Sequence, residues 1–227
     1  MIQAMVTVTG AFGDEVLSRT DTYLQQVEAT TAHLPDAVDA YGENADAFVA
    51  TVDRLNTQES ECDATLRELS TLLGESLPPN YTDVYLRADD VVRLYGCLDA
   101  VPNRAERFAR ELANTRPSLT PETRETVREM AALVAEGTVI LTELTGAYVE
   151  GLVTSGDPIV VADDVETIVA LETECDAHKY DALQTAFENR ETADALLVRE
   201  LLVALDAAMD AIEDAAEHLL SMQSVTH

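Results

Sequence analysis

Between residues 82 and 115 apolar side chains recur at Val91, Leu94, Leu98, Val101, Ala105, Phe108 and Leu112. This alternating three-and-four spacing puts all seven on one stripe of an α-helix that packs against partners. Leu202, Leu205, Met209, Ile212, Ala216 and Leu219 repeat the pattern near the C-terminus. Glycine and proline number only 9 and 7 and are clustered, leaving long stretches rich in Ala, Leu, Glu and Arg. That punctuation predicts an all-α protein of six helices near 12–33, 36–74, 82–115, 121–154, 158–189 and 191–223. Thr120-Pro121-Glu122 reads as a helix start, with Thr120 as N-cap and Pro121 in the first turn. Asp157-Pro158 after Gly156 reads as another start, and Gly74 with Leu77-Pro78-Pro79-Asn80 as a stop.

The two apolar stripes superimpose when 111 is subtracted from the second. The hexapeptide Glu59-Ser60-Glu61-Cys62-Asp63-Ala64 recurs, with Thr for Ser, as Glu172-Thr173-Glu174-Cys175-Asp176-Ala177, an offset of 113. Two offsets so close mark an internal duplication. The chain therefore divides into two tandem three-helix bundles, residues 1–117 and 118–227, each long enough to bury a core.

Charge narrows the setting. Forty-three Asp and Glu face fourteen Lys and Arg, giving a net charge of −29 and a pI near 4.1. Lys179 is the single lysine. The acids are spread along the chain and 47% of residues are hydrophobic, which excludes a disordered acidic polymer. A folded halophilic protein fits, because molar salt shrinks the Debye length to about 3 Å and screens repulsion between surface carboxylates. The alternative, a nucleic-acid mimic, needs acids in phosphate-like rows. There is no basic patch for DNA, RNA or anionic lipid. Cys62, Cys97 and Cys175 lack the spacing of a disulfide framework or a zinc site. The N-terminal Met1–Phe12 has neither the basic flank nor the apolar core of a signal peptide, and no uninterrupted apolar run approaches a bilayer span. The expectation is a cytoplasmic protein that does not insert into membranes.

One position breaks the stripe of the second helix. Leu55, Cys62, Leu66, Leu69 and Leu73 leave a seam slot at 59, and Glu59 fills it. A carboxylate there is costly unless a cation or donors meet it. Asp63 projects from the same side one turn on, and Glu172 and Asp176 repeat the arrangement. Each third helix adds a set spaced four then three: Asp99, Asn103 and Glu106, then Asp210, Asp214 and Glu217. Clustered hard oxygens suit Mg²⁺, Ca²⁺, Mn²⁺ or iron better than a soft-ligand zinc site. In so acidic a chain any single ExxxD is ordinarily a solvated face; the doubled order is what points to a cation. Cys62 and Cys175 read as buried packing residues, and His178 and His218 as surface histidines.

Two similar three-helix bundles, each with ExxxD on one helix and D-xxx-[N/D]-xx-E on the next, resemble the PhoU family of phosphate-uptake regulators, in particular its phosphate-transport accessory branch. Residues 77–112, from Leu-Pro-Pro-Asn-Tyr through Leu-Asp-Ala-Val-Pro-Asn, are similar to that branch's loop and helix core, and the likeness spans roughly residues 12–222. The resemblance implies a non-catalytic regulator that docks on a membrane phosphate transporter or its sensor kinase, often as a homodimer. It implies metal strips at Glu59, Asp63, Asp99 and Asn103, and at Glu172, Asp176, Asp210 and Asp214, holding iron or another divalent ion (Mg, Mn, Ca or Zn). Asn103 in place of an acid, with Pro102 before it, marks the first strip as one that binds more weakly or not at all. Two other readings stand beside this one. A ferritin-like metalloenzyme would need Glu-x-x-His, which the chain lacks, as it lacks HExxH, Walker A and GxSxG motifs. A structural halophilic protein would use its acids for solubility alone.

Overall fold

The computed structural model describes residues 2–75, 88–154 and 160–224, and among these the regular structure is entirely helical. In chain order the helices are α1 (Ile2–Ala32), α2 (Leu34–Ala40), α3 (Ala45–Glu75), α4 (Ala88–Thr115), α5 (Pro121–Thr154), α6 (Ala162–Asn189) and α7 (Thr192–Ser224). The six long helices are those the apolar spacing predicts. The starts expected near 82 and 158 lie outside the described residues, and α1 begins earlier than expected.

The helix expected over 36–74 is two helices. Tyr41 is extended at ψ 120°, and Gly42 takes φ 78°, a left-handed conformation that costs a residue with a Cβ. Asn44 then caps α3, its Oδ1 accepting from the Ala47 N–H at 3.0 Å. The Tyr41 hydroxyl donates to the Pro117 carbonyl at 2.7 Å, pinning this corner to the linker between the halves. The start of α5 is as expected: Thr120 Oγ1 accepts from the Thr123 N–H at 3.2 Å, and the Thr120 carbonyl from the Arg124 N–H at 2.9 Å.

Helices α1, α3 and α4 pack on one another, and so do α5, α6 and α7. The two trios join face to face through α4 against α7 and α1 against α5, while α2 lies on α5. One hydrophobic core runs through both. All seven apolar residues of the α4 stripe and all six of the α7 stripe are buried in it. At Gly137 of α5 a Cβ would stand 3.1 Å from Met209 Cε of α7, so a small residue permits that close approach. Helix α5 is the one described helix long and apolar enough to cross a membrane, yet half of its apolar window is buried against its neighbours. Its apolarity is that of a core helix. Helix α3 packs on α4, α1 and α2, and α6 on α7 and α5, which gives two corresponding grooves, α3/α4 and α6/α7, each formed within one half.

Candidate functional site

Each groove carries one of the predicted carboxylate strips. In the first, Glu59 and Asp63 of α3 and Asp99 and Asn103 of α4 are all half-buried. Burial, reinforced by the charges of Asp63 and Glu59, pushes the Asp99 carboxyl up to about 6. Two elements thus bring three predicted acids together. Asn103 answers part of the charge, its Nδ2 donating to Asp99 Oδ2 at 3.0 Å and to the Asp99 carbonyl at 2.7 Å. Pro102, which has no N–H, leaves the Leu98 carbonyl without its intrahelical donor, and the Asn103 amide bonds the next carbonyl along, that of Asp99. Helix α4 continues through the proline without interruption.

Other groups complete the strip. Arg67 reaches Asp63 at 3.3 Å from an exposed position, where solvent weakens the pair. Glu106, nearly buried, pairs with Arg110 and lies within the field of Glu59; burial raises its carboxyl. Asp99 Oδ1 is buried and has no hydrogen-bond partner, and the same holds for the hydroxyl of Tyr23, a fully buried residue of α1. Burial, then the charge of Asp99, raises the Tyr23 phenol well above its ordinary value. Beneath the strip Tyr95 shares a 2.5 Å hydrogen bond with Thr20. A cleft of about 670 Å³ opens along it, lined by Asp99, Asn103 and Glu106 and by Arg104, Arg107 and Arg110.

The second groove holds half-buried Glu172 and Asp176 of α6 opposite Asp210 of α7, which is exposed. Its centre is different. Lys179, only 8% exposed, hydrogen-bonds Asp176 Oδ1 and donates to Asp206 Oδ2 at 2.7 Å; Asp206 is itself 7% exposed. Burial alone would lower the ammonium, but the hydrogen bonds and charges of Asp176 and Asp206 carry it up, so it stays protonated. Burial raises the carboxyls of Glu172, Asp210 and Glu213, each with further acids nearby. Lys179 pulls Glu172 and Asp210 the other way. Asp214 is exposed, and its field falls on Glu213 and on Cys97 of α4.

Sequence reasoning missed Lys179, Asp206, Glu213 and Tyr23. Two of them had a signal in the repeat. Lys179 stands at the position of Leu66, and Asp206 at that of Tyr95. One half placing a buried Lys–Asp pair where the other has Leu and Tyr was legible as a divergence, though not as a contact. The cysteines are as expected: Cys62 and Cys175 are buried, and burial pushes both thiols up to about 12. His178 lies 3.5 Å from Glu129, and His218 Nε2 lies 3.2 Å from the Asp90 carbonyl; neither joins a strip.

The sequence matches no family model and no curated protein. Solved structures match along nearly the whole chain. Two crystal structures of PhoU-like proteins from Shewanella oneidensis MR-1, one described as a phosphate regulatory protein, superpose with a TM-score of 0.77 at 14% identity. The matches cover 93% and 92% of this chain and 100% and 97% of those chains. PhoU from Pseudomonas aeruginosa superposes with a TM-score of 0.61 at 17% identity, over 96% of this chain and 99% of that one. The chain has the PhoU-like fold. Within that PhoU-like frame the doubled grooves are equivalent by repeat and unequal in charge. Among the described residues no three His, Cys, Asp or Glu side chains converge closely enough to hold one ion as they stand. Among the described residues, the first groove has buried oxygens lacking partners and no buried cation. The second has an ammonium in its middle.

Proposed function

We propose that the chain is a non-catalytic regulator of phosphate uptake that docks on a membrane phosphate transporter or its sensor kinase. The observation that carries this reading is the end-to-end structural correspondence with PhoU-like proteins, at 93% of this chain and 100% of the first neighbour. In this reading the first strip is the responsive element. Glu59, Asp63 and Asp99 would hold a hard divalent or iron-type ion, with Asn103 fixing the rotamer of Asp99. A bound cation supplies the positive charge that relieves the repulsion among these acids. Arg104, Arg107 and Arg110 line a cleft along α4 that Asp99 and Asn103 also line and Glu59 and Asp63 do not, so guanidinium groups for an oxyanion such as phosphate would lie to one side of the ion. A homodimer would double the docking surface.

The test has two arms. A strain lacking the protein should take up phosphate differently from wild type under replete phosphate, and the wild-type gene should restore it while Glu59→Gln/Asp63→Asn should not. In vitro, Mn²⁺ at a hundred times its dissociation constant should stabilise the wild type by about 2.7 kcal/mol in a melt. The double variant should show no such gain. Unchanged uptake in the deletion strain would sink the regulatory reading.

A second reading, acids serving solubility alone, is favoured by the lack of a converging trio of ligands among the described residues. It expects Glu59→Gln to be neutral or stabilising with and without Mn²⁺.

A further inference from the structure

The two grooves descend from one unit, yet their centres carry different chemistry. In the first half the positions corresponding to Lys179 and Asp206 are Leu66 and Tyr95, and the Tyr95 hydroxyl is spent on Thr20. In the second half the single lysine of the chain is buried at the middle of the strip, bonded to Asp176 and, at 2.7 Å, to Asp206. Its field also reaches Glu172 and Asp210. Among the described residues, the second strip contributes no buried side-chain oxygen without a partner, whereas Asp99 Oδ1 and the Tyr23 hydroxyl are such atoms at the first.

We propose that the Lys179 ammonium is the resident cation of the second strip, a tethered substitute for a metal ion that leaves only the first groove open to one. This rests on the reading of the first strip as metal-responsive. An ammonium is a compact point charge with three donors on a flexible stem, so it can bond two carboxylates on different helices at once. A divalent ion entering the Glu172–Asp176–Asp210 oxygens would meet a fixed like charge a few ångströms away and lose Asp176 as a ligand. Because the ammonium cannot diffuse off, the second strip keeps one positive charge at its centre at any metal concentration. The duplication has thereby yielded one constitutive strip and one conditional strip.

Counting Mn²⁺ per chain by equilibrium dialysis and elemental analysis, at one KCl concentration throughout, tests this. Glu172→Gln/Asp176→Asn should leave the wild-type count unchanged. Lys179→Met should gain one ion, and adding Glu172→Gln should remove that gain. Arg54→Met, an exposed site with the same change in net charge, should gain nothing. Since Lys179→Met strands the buried Asp206, the double variant Lys179→Met/Asp206→Asn is measured beside it; it keeps Glu172, Asp176 and Asp210 and should gain the ion too. A wild-type count that falls in Glu172→Gln/Asp176→Asn overturns the proposal, as does a folded Lys179 variant that gains no ion. A wild-type count of zero overturns the reading of the first strip instead, and the lysine variants still decide the second.

Discussion

Asp99 is a carboxylate held half-buried beside Asp63 and Glu59, with an amide rather than a cation against it. Its folded pKa of about 6 lies above its unfolded value of 3.8, so the folded state binds the proton more tightly. The sign follows from linkage: this group makes the protein more stable as pH falls from about 7 towards about 4, and less stable as pH rises through its folded pKa. Asp99→Asn should therefore stabilise the protein at pH 7.5 by about 1 kcal/mol, allowing for solvent screening of a half-exposed group. It should also flatten the rise in stability between pH 7.5 and 5, and urea melts of both proteins at the two pH values measure this. An unchanged slope would mean that the repulsion at Asp99 is relieved in solution. Lys179 is the opposite case. Lys179→Met leaves Asp206 charged, buried and unpaired, and should cost roughly 3 kcal/mol, a loss that concentrated KCl should not restore because the pair is shielded from ions. Lys179→Met/Asp206→Leu should recover most of it, which thermal melts will show.

At the scale of elements, the stripes explain why α4 and α7 exist and why they face each other, since every predicted stripe residue on both is buried. The break between α2 and α3 obeys another rule. Periodicity alone runs a helix from 36 to 74, but Gly42 at φ 78° and the Asn44 cap end one helix and begin the next. Both residues are punctuation that the sequence displayed, and the apolar spacing on either side masked it. Gly42→Ala, which must adopt a left-handed backbone and meets the Arg124 guanidinium at 3.0 Å, should cost about 1 kcal/mol in a urea melt. Pro102 teaches the converse. A proline inside α4 reads as a defect, but the turn it loosens is where the Asn103 amide folds back onto Asp99.

For the whole molecule, the contact of α4 with α7 and of α1 with α5 fuses the two halves into one core. A repeat protein can unfold half by half only when its internal interface is weak. Here that interface contains the buried stripes of α4 and α7, so urea unfolding followed by circular dichroism should give a single transition. A plateau between two transitions would show that the bundles are energetically independent. Net charge acts at the same scale. With −29 spread over the surface, lowering KCl from molar to about 0.1 M lengthens the Debye length from about 3 to about 10 Å, and the melting temperature should fall.

The sequence by itself determined the helical class and where the apolar stripes and the repeated motifs stand along the chain. Apolar spacing and repeated motifs are properties of neighbours along a helix, and those neighbours stay neighbours in any fold. It paired Glu59 with Asp63 and Glu172 with Asp176 for the same reason, and set Asp99 and Asn103, and Asp210 and Asp214, beside them by the repeated order of the motifs. Only the tertiary structure decided how the charge in each groove is met. Whether a carboxylate faces an ammonium or another carboxylate depends on pairing between helices separated by a turn, and 179 and 206 are distant in sequence though bonded in space. A divergence of two residues between the repeats was visible in the letters, but its meaning required the register of α6 against α7.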